Sequence, residues 1–375
     1  IVDGVPVIFD VTLPVATTAR PAMDQIAEFR VEAVLPPAEY GRTSGGVVTM
    51  VTRSGGNELH GNVLTLIRNN VFDARPYNAV RRNVTRQWEA SGSIGGPLVL
   101  PRLYNGRNRT FFFGNYTGFR RVNVSQATNS TVATADMRAG DFSGVAIPVM
   151  DPLSRDASGR RQQFAGNRIP AARISPIARA VQEQVPLPNL GGLAGNYVQQ
   201  TRSEQDTDMF LVKIDHQFSD PHKFSGSFRF TDYTRDSPSA GLPTTVGTGY
   251  RDTPASKHIV LNDSYIFRPN LINSLQLGYT RYGNYTKSTS LTDSTADVRV
   301  PGAFAAGFPA IRFSGQGFSA LGGTDYRFDG DDNYHLLESV AWTKGKHNFK
   351  FGMRLDIFRN NLRVDANQIG TYTYT

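Results

Sequence analysis

Hydrophobic and polar residues alternate along several long segments of this 375-residue chain. The three clearest segments are 210–218, 224–230 and 349–357. In the first, Phe210, Val212 and Ile214 share one face. Lys213 and Asp215 share the opposite face. Because successive side chains of a β-strand point to opposite sides, this period of two predicts strands with one apolar face and one polar face.

The same pattern predicts most of the secondary structure beyond residue 58. We expect strands at about 60–69, 86–96, 109–121, 207–218, 222–234, 257–267, 271–285, 333–343 and 347–360, with a tenth beginning near 369. Many are longer than the globular mean of about 5–6 residues. They suit a tilted membrane crossing of about 9–11 residues.

The connections between these strands alternate between very short and very long. Tight turns are expected at 219–221, 268–270 and 344–346, and long connections at 70–85, 122–206, 235–256 and 286–332. Compact domains rarely carry such long loops, whereas outer-membrane barrels pair short turns at one end with long loops at the other. The segment 97–108 is intermediate in length, and we interpret it as an irregular turn. The fold class predicted is all-β: an antiparallel transmembrane β-barrel.

Residues 1–57 differ in style from the rest. Asp3-Gly4 predicts a small hairpin, and short apolar runs at 26–34 and 46–52 predict strands of a small covered sheet. The sequence starts without Met and stops within an alternating pattern at 370–375. We therefore expect an internal fragment, with an incomplete barrel of about ten strands.

Composition agrees with many strands and turns. Aromatic residues make up 11% of the chain, and it contains 36 Gly and 21 Pro. The absence of Cys excludes disulfides, thiolate metal sites and Cys nucleophiles. The net charge of +8 indicates a solvated polar surface, or contact with anionic lipid headgroups or an anionic ligand. Arg residues are scattered rather than striped, which argues against nucleic-acid binding.

No enzyme constellation is present in the sequence. There is no Gly-x-Ser-x-Gly, no phosphate-loop lysine pattern and no His-x-x-x-His pair, so we expect neither an enzyme nor a cofactor. Asp325, Asp329, Asp331 and Asp332 are grouped in a predicted surface loop. The last three are a weak Ca²⁺ candidate, and a solvated acidic loop is the alternative.

Two further patterns fall near the predicted strand ends. Residues 174–185 predict a short amphipathic helix over the barrel mouth, either packed in a loop or acting as a lid. Phe218, Phe267 and Trp342 lie next to the predicted tight turns. They indicate either an interfacial aromatic girdle or ordinary strand packing.

A family resemblance is carried by segments 26–32, 38–42 and 44–61. They resemble the plug-to-barrel junction of TonB-dependent outer-membrane receptors, in a form most similar to the Oar-like branch. Segments 138–144 and 166–176 are also similar to Oar-like proteins.

The resemblance implies that residues 1–57 are the C-terminal part of a plug domain. Residues 58–375 would be the N-terminal part of the barrel, with extracellular loops 122–206, 235–256 and 286–332, in the bacterial outer membrane. Glycines at the plug–barrel junction would permit close packing or a positive φ. The charged pair there would bind the inner wall, or alternatively be solvated. These candidate site residues are Glu39, Tyr40, Gly41, Arg42, Gly45 and Gly46.

The function implied is binding of a ligand at the cell surface and its import through the plugged barrel, energised by TonB. Expected partners are TonB, outer-membrane lipid with lipopolysaccharide, and an extracellular ligand such as a siderophore, a glycan or a peptide. Two alternatives stay open. One is an Oar-like surface barrel acting in adhesion or secretion without active uptake, and the other is a soluble all-β binding protein.

Overall fold

The computed structural model describes most of the chain. The described residues are 1–7, 21–32, 46–75, 77, 82, 84–125, 127–239, 241–292, 298, 300–303, 307–315, 317–323 and 325–374. None of the helices in these ranges is long and apolar enough to cross a membrane.

One large antiparallel sheet organises the structure. It contains nine long strands: His60–Asn69, Val84–Pro97, Thr110–Val124, Arg202–Ser219, His222–Ser237, Ala255–Arg268, Leu271–Ser288, Asp325–Lys344 and His347–Ala366. Each pairs with the next in sequence, and the short strand Tyr250–Asp252 bridges two of them beyond the end of Ala255–Arg268. This meander confirms the predicted all-β antiparallel architecture.

The observed strands correct the prediction in three respects. Several run to 18 or 20 residues, well beyond the predicted ends. The predicted loop 286–332 is wrong at both ends, because one strand continues to Ser288 and the next begins at Asp325. The tenth strand near 369 is also wrong as part of the barrel wall. Thr371–Tyr374 instead pairs in parallel with Ala310–Phe313 in a separate two-stranded sheet.

The two faces of the large sheet differ as the alternation predicts. On strand Arg202–Ser219, Phe210 and Val212 are exposed, whereas Leu211 between them is only 1% exposed and Lys213 only 7%. We call the face that carries Phe210 and Val212 the apolar face, and the face that carries Leu211 and Lys213 the polar face. Exposed apolar-face residues recur on neighbouring strands, among them Val63, Ile67, Tyr116, Phe228, Ile259, Leu261, Leu277, Tyr334, Phe351, Met353 and Leu355.

The tight turns lie together at one end of the sheet, which we call the turn end. All three expected turns form, joining Ser219 to His222, Arg268 to Leu271 and Lys344 to His347. The intermediate connection after Pro97 is also at this end and forms a small hairpin, in which Val99–Leu100 pairs with Tyr104–Asn105.

The described residues 1–7, 21–32 and 46–52 form a small structure that lies against the polar face. The hairpin predicted at Asp3-Gly4 is present, with Val2 paired to Val5. After a 3₁₀ turn at Met23–Gln25, strand Ile26–Glu32 pairs antiparallel with Val47–Thr52. The expectation of a covered sheet is wrong for the described residues, because Phe29 and Val31 are exposed.

The opposite end of the sheet, the loop end, carries a structured module. It contains the two-stranded pairs Thr128–Ser130 with Tyr197–Gln199 and Met150–Arg155 with Arg161–Gln163, the helices Ala135–Arg138, Pro176–Gln184 and Thr289–Thr292, and the 3₁₀ turns Ala165–Asn167 and Ala171–Arg173. The predicted amphipathic helix is confirmed. Its buried Val181 joins a core with Val132, Leu242 and Phe308, so the three long connections pack together.

The N-terminal segment approaches the sheet very closely at Gly278. A Cβ built on Gly278 would lie 2.4 Å from a methyl carbon of Val5, and Val5 is 1% exposed. Only a residue without a side chain lets the hairpin pack this closely.

We expect Gly278→Val to displace the N-terminal hairpin while the sheet stays intact, because valine favours strands but overlaps Val5. Trypsin cleavage after Arg53 should then accelerate severalfold, while heat-modifiable migration of the full-length protein is unchanged. Gly283→Val on the same strand is the matched control, since its Cβ would meet only a Phe328 ring carbon at 3.9 Å. Equal cleavage of both variants would contradict the proposed overlap.

Candidate functional site

Asp3 binds the N-terminal hairpin to its own sheet and to the polar face. Its carboxylate accepts hydrogen bonds from the backbone N–H and the hydroxyl of Thr52, both at 2.8 Å. The Ser227 hydroxyl of the large sheet donates to the same carboxylate at 3.3 Å. Lys213 Nζ lies 4.0 Å from it and donates to the Thr52 carbonyl at 3.2 Å. One buried carboxylate thereby connects two parts of the fold.

The backbone of the same turn is held by two amide side chains. Gln276 Nε2 donates to the Asp3 carbonyl at 3.0 Å and to Asn262 Oδ1 at 2.8 Å. Asn262 Nδ2 also approaches the Asp3 carbonyl, at 3.5 Å. Gln276 and Asn262 lie on neighbouring strands of the large sheet. The turn is therefore held through the backbone carbonyl of Asp3 as well as through its side chain.

We call a carboxylate that is held by side chains of several strands a contact node. Asp3 is the first such node, and Asp24 in the 3₁₀ turn is the second. Asn62 donates to one carboxylate oxygen at 3.0 Å, and Ser91 and Asn115 donate to the other at 2.9 Å and 3.3 Å. Gln25 donates to Asn115 Oδ1 at 2.9 Å. These three partners of Asp24 belong to the first three long strands.

Both nodes consist mainly of hydrogen bonds between uncharged groups and a carboxylate. Each such bond to a charged acceptor contributes about 1.5–3 kcal/mol net, because water replaces the lost partner when the contact opens. A polar interface of this kind can open and close without exposing a large apolar surface. Among the described residues of the segment, the buried apolar side chains include Val2, Val5, Ala22 and Val47.

The loop end carries an apolar cavity of about 450 Å³. Its lining includes Val132, Ala133, Phe142, Ile177, Ala178, Val181, Val185, Val300, Ile311, Phe313, Phe318, Leu321, Tyr372 and Tyr374. Ligand sites typically measure about 300–1,000 Å³ and combine apolar walls with a few polar groups. The size and the aromatic lining therefore suit an apolar group of a ligand.

Arg138 fixes one wall of this cavity. Its guanidinium donates to the carbonyls of Gln182, Val185 and Pro186 at 2.8, 2.9 and 2.6 Å. The Gln182 carbonyl lies in the last turn of the helix Pro176–Gln184, and the other two carbonyls follow directly after it. The cation therefore holds the helix C-terminus, where the helix macrodipole is negative. Partial burial lowers the pKa of Arg138 below its ordinary value, yet it stays protonated at neutral pH.

A surface ion pair secures a neighbouring part of the loop module. Asp141 pairs with Arg168 at 3.0 Å. Hydrogen bonds from the Ser143 hydroxyl and backbone N–H, then from Arg168, lower the pKa of Asp141 to about 2. Because this pKa is below that of the unfolded chain, the contribution is complete above about pH 4 and is lost as the pH falls through about 2.

Most of the junction residues predicted from sequence fall outside the described residues: Glu39, Tyr40, Gly41, Arg42 and Gly45. Gly46 is described and has a φ of 121°. An L side chain rarely adopts this conformation, so the backbone requires glycine at this position. Its role in a plug–barrel junction stays a prediction.

The acidic Ca²⁺ candidate lies in a strand rather than in a surface loop, which corrects the prediction. Asp329 and Asp331 are buried on the polar face. Asp329 pairs with Arg327 at 2.7 Å, and Asp331 accepts from Asn360 at 2.6 Å. Asp332 points to the other face and accepts from Tyr279. Since the three carboxylates do not converge, they do not form one cation site.

The residues that anchor the N-terminal segment were missed from sequence. Asp3 and Asp24 sit in short polar turns that look like solvated turns. Their partners, such as Asn115 and Gln276, are single polar residues on distant strands. The period of two assigns these partners to the polar face, but no local signal indicates which of them contact the turns.

The strand pattern, the two faces and the tight turns define a β-barrel wall. A family model described as "Outer membrane beta barrel domain" matches residues 51–375, and the chain belongs to this family of the bacterial outer membrane. The alternative of a soluble all-β binding protein is therefore wrong. No curated protein matches the sequence significantly.

Three solved structures are similar to this chain over most of its length. The outer membrane transporter YddB from Escherichia coli is 10% identical with a TM-score of 0.47, covering 92% of this chain and 42% of its own. The ferric-catecholate import receptor Fiu from E. coli K12 is 10% identical with a TM-score of 0.44, covering 94% and 53%. The siderophore receptor PiuA from Acinetobacter baumannii is 9% identical with a TM-score of 0.35, covering 91% and 52%. The chain thus spans about half the length of these structures.

We expect Asp24→Ala to loosen the N-terminal segment, because it leaves donors on Asn62, Ser91 and Asn115 without their acceptor. Each buried donor left unsatisfied costs about 1–3 kcal/mol. Hydrogen exchange of the amides in Ile26–Glu32 should accelerate at least tenfold, and Asp24→Asn, which keeps one acceptor oxygen, should show a smaller effect. Unchanged exchange in Asp24→Ala would show that this node does not hold the segment.

Proposed function

We propose that the protein is a TonB-dependent outer-membrane receptor and transporter of the Oar-like kind. It captures a ligand at the cell surface and imports it through the barrel. In this proposal the turn end faces the periplasm and the loop end faces the outside, next to lipopolysaccharide. Residues 1–57 belong to a plug, and TonB supplies the energy.

The observation that carries the proposal is the polar attachment of the N-terminal segment to the polar face. In the described ranges 1–7, 21–32 and 46–57 the contacts are mainly polar, whereas a permanent core element would be expected to bury a large apolar surface there. Instead, Asp3 and Asp24 are each held by side chains from several strands through hydrogen bonds that water can replace. Such an attachment closes the barrel at rest and can yield to a pulling force.

The loop-end cavity supports ligand capture at the outer surface. It is lined by the first and third long connections and by strand Thr371–Tyr374, and one apolar core joins these connections to the second. Its walls favour a ligand that presents an apolar group, whether the rest of the ligand is a siderophore, a glycan or a peptide. The exposed apolar face of the sheet would contact the lipid.

The function is tested by locking the N-terminal segment to the wall. Val5→Cys with Gly278→Cys places two thiols where the segment and the sheet are in contact, and the 375 residues contain no native cysteine. Uptake of labelled ferric siderophores, oligosaccharides and oligopeptides is measured in the native bacterium with the full-length protein. We expect at least one class to accumulate, uptake to stop on oxidation and to return on reduction, and Val5→Cys alone, which leaves Gly278 without a side chain, to remain active under both conditions.

The same experiment separates transport from the alternative. Uptake that continues in the oxidised variant, or in cells lacking TonB, would contradict TonB-driven import. Gene-dependent adhesion or secretion with no gene-dependent uptake would instead favour an Oar-like surface barrel without active transport.

The role of the cavity is tested by filling it. Ala178→Trp adds a large ring at the lining, and we expect at least a tenfold loss of binding of the ligand identified by the uptake screen. Glu183→Trp is the matched control, because Glu183 is exposed on the same helix and does not line the cavity. Equal affinity of the two variants, measured by calorimetry on folded protein, would exclude the cavity as the binding site.

A further inference from the structure

The hairpin after Pro97 is unlike the other connections at the turn end. The three tight turns need only two residues between paired strand ends, whereas this one inserts 12 residues between Pro97 and Thr110. It is nevertheless well ordered: Leu98 N–H donates to the Thr110 carbonyl at 2.8 Å, and Gly106 N–H donates to the Leu98 carbonyl at 3.0 Å. A Cβ on Gly106 would lie 2.5 Å from that carbonyl oxygen, so the hairpin is packed tightly at its base.

Contacts place this hairpin on the apolar face of the sheet. Tyr104 and Thr110 share a hydrogen bond between their hydroxyls, and Thr110 in turn bonds to His216 Nδ1 at 2.7 Å. His216 is an even-numbered residue of strand Arg202–Ser219, like the exposed Phe210 and Val212. Because alternate residues share a face, Tyr104 lies on the side of the sheet that meets the lipid.

The hairpin continues a row of rings along the turn end. His216 and Phe218 have ring centroids 4.3 Å apart, and Phe218 and His222 are separated by 4.8 Å. The row proceeds from His222 to Tyr265 at 5.2 Å and from Tyr265 to Phe267 at 4.8 Å. Aromatic rows of this kind mark the headgroup level in outer-membrane barrels. The hairpin therefore begins at the depth of the lipid headgroups.

The surface of the hairpin is both apolar and basic. Leu103 at its tip is 85% exposed, and Val99 and Leu100 are also exposed. Arg102 and Arg107 flank the tip, and residues 98–109 contain no acidic residue. In the part of the chain that the structure describes, neither arginine forms an ion pair.

We propose that this hairpin is a binding site for anionic phospholipid in the leaflet at the turn end. Leu103 and its apolar neighbours enter the boundary between headgroups and acyl chains, where buried apolar area and charge attraction act together. Arg102 and Arg107 bind lipid phosphates, to which the guanidinium fork is well matched. This inference depends on the membrane location of the barrel and not on transport.

The test uses the full-length protein with one probe at the tip. Leu103→Cys is labelled with an environment-sensitive fluorophore and reconstituted into phosphatidylcholine vesicles containing phosphatidylglycerol. A nitroxide quencher is placed on the acyl chain of either lipid, at equal mole fraction. Ser158→Cys, in an exposed turn of the loop module, is the matched control for a probe in water.

We expect strong quenching at position 103 and little at position 158, with nitroxide phosphatidylglycerol quenching position 103 more than nitroxide phosphatidylcholine. Near an anionic surface each arginine contributes about 1 kcal/mol, or roughly fivefold in local lipid enrichment. Arg102→Gln with Arg107→Gln should therefore abolish the difference between the two quenchers while heat-modifiable migration is retained.

Two results would overturn the proposal. Equal, weak quenching at positions 103 and 158 would place the tip in water or against a periplasmic protein. Equal quenching by the two nitroxide lipids at position 103, in the presence of both arginines, would show that the hairpin does not select anionic lipid.

Discussion

The structure depends on the pairing of every long strand with its neighbours. Backbone polar groups inside a membrane have no water to bind, so each strand must find its hydrogen bonds within the sheet. Continuous antiparallel register then fixes the side-chain alternation across the whole wall. The alternating sequence therefore makes one face apolar and the other polar over the whole sheet. This division determines where the N-terminal segment, the lipid and the loop module lie.

The polar face has a second role besides facing away from the lipid. Under the proposed function it must hold the N-terminal segment well enough to close the lumen, but through contacts that can be released. The strands meet this requirement with neutral donors around Asp3 and Asp24, and with Lys213 as a cation beside Asp3. A face lined by leucines would hold the segment more tightly and resist opening. The distribution of hydrogen bonds over many strands also keeps any single one from dominating.

Sequence predicted the wall well because its signal is local. Alternation along strand His222–Ser237 and the Asp-Pro turn before it can be recognised within a few residues. Strand ends were predicted poorly, because beyond the membrane the apolar face is no longer required and the pattern fades, as in Asp325–Asn333. The acidic residues there looked like a loop for this reason. Thr371–Tyr374 alternates like a wall strand, but its partner is a distant loop strand, which sequence cannot reveal.

Apolar side chains that are exposed or that line a cavity have different proposed roles at the two ends of the sheet. At the loop end, Val181 and Phe313 belong to cavity walls that come from two long connections and from strand Thr371–Tyr374, and the concave surface suits a ligand group. At the turn end, Leu103 projects from a convex hairpin between two arginines, next to rings at headgroup depth. The apolar residue types at the two ends are similar. The two surfaces differ in their curvature and in their charged neighbours. Under the two proposals, surface geometry therefore distinguishes a ligand-binding cavity from a lipid-binding hairpin, and this geometry can be recognised only in the folded protein.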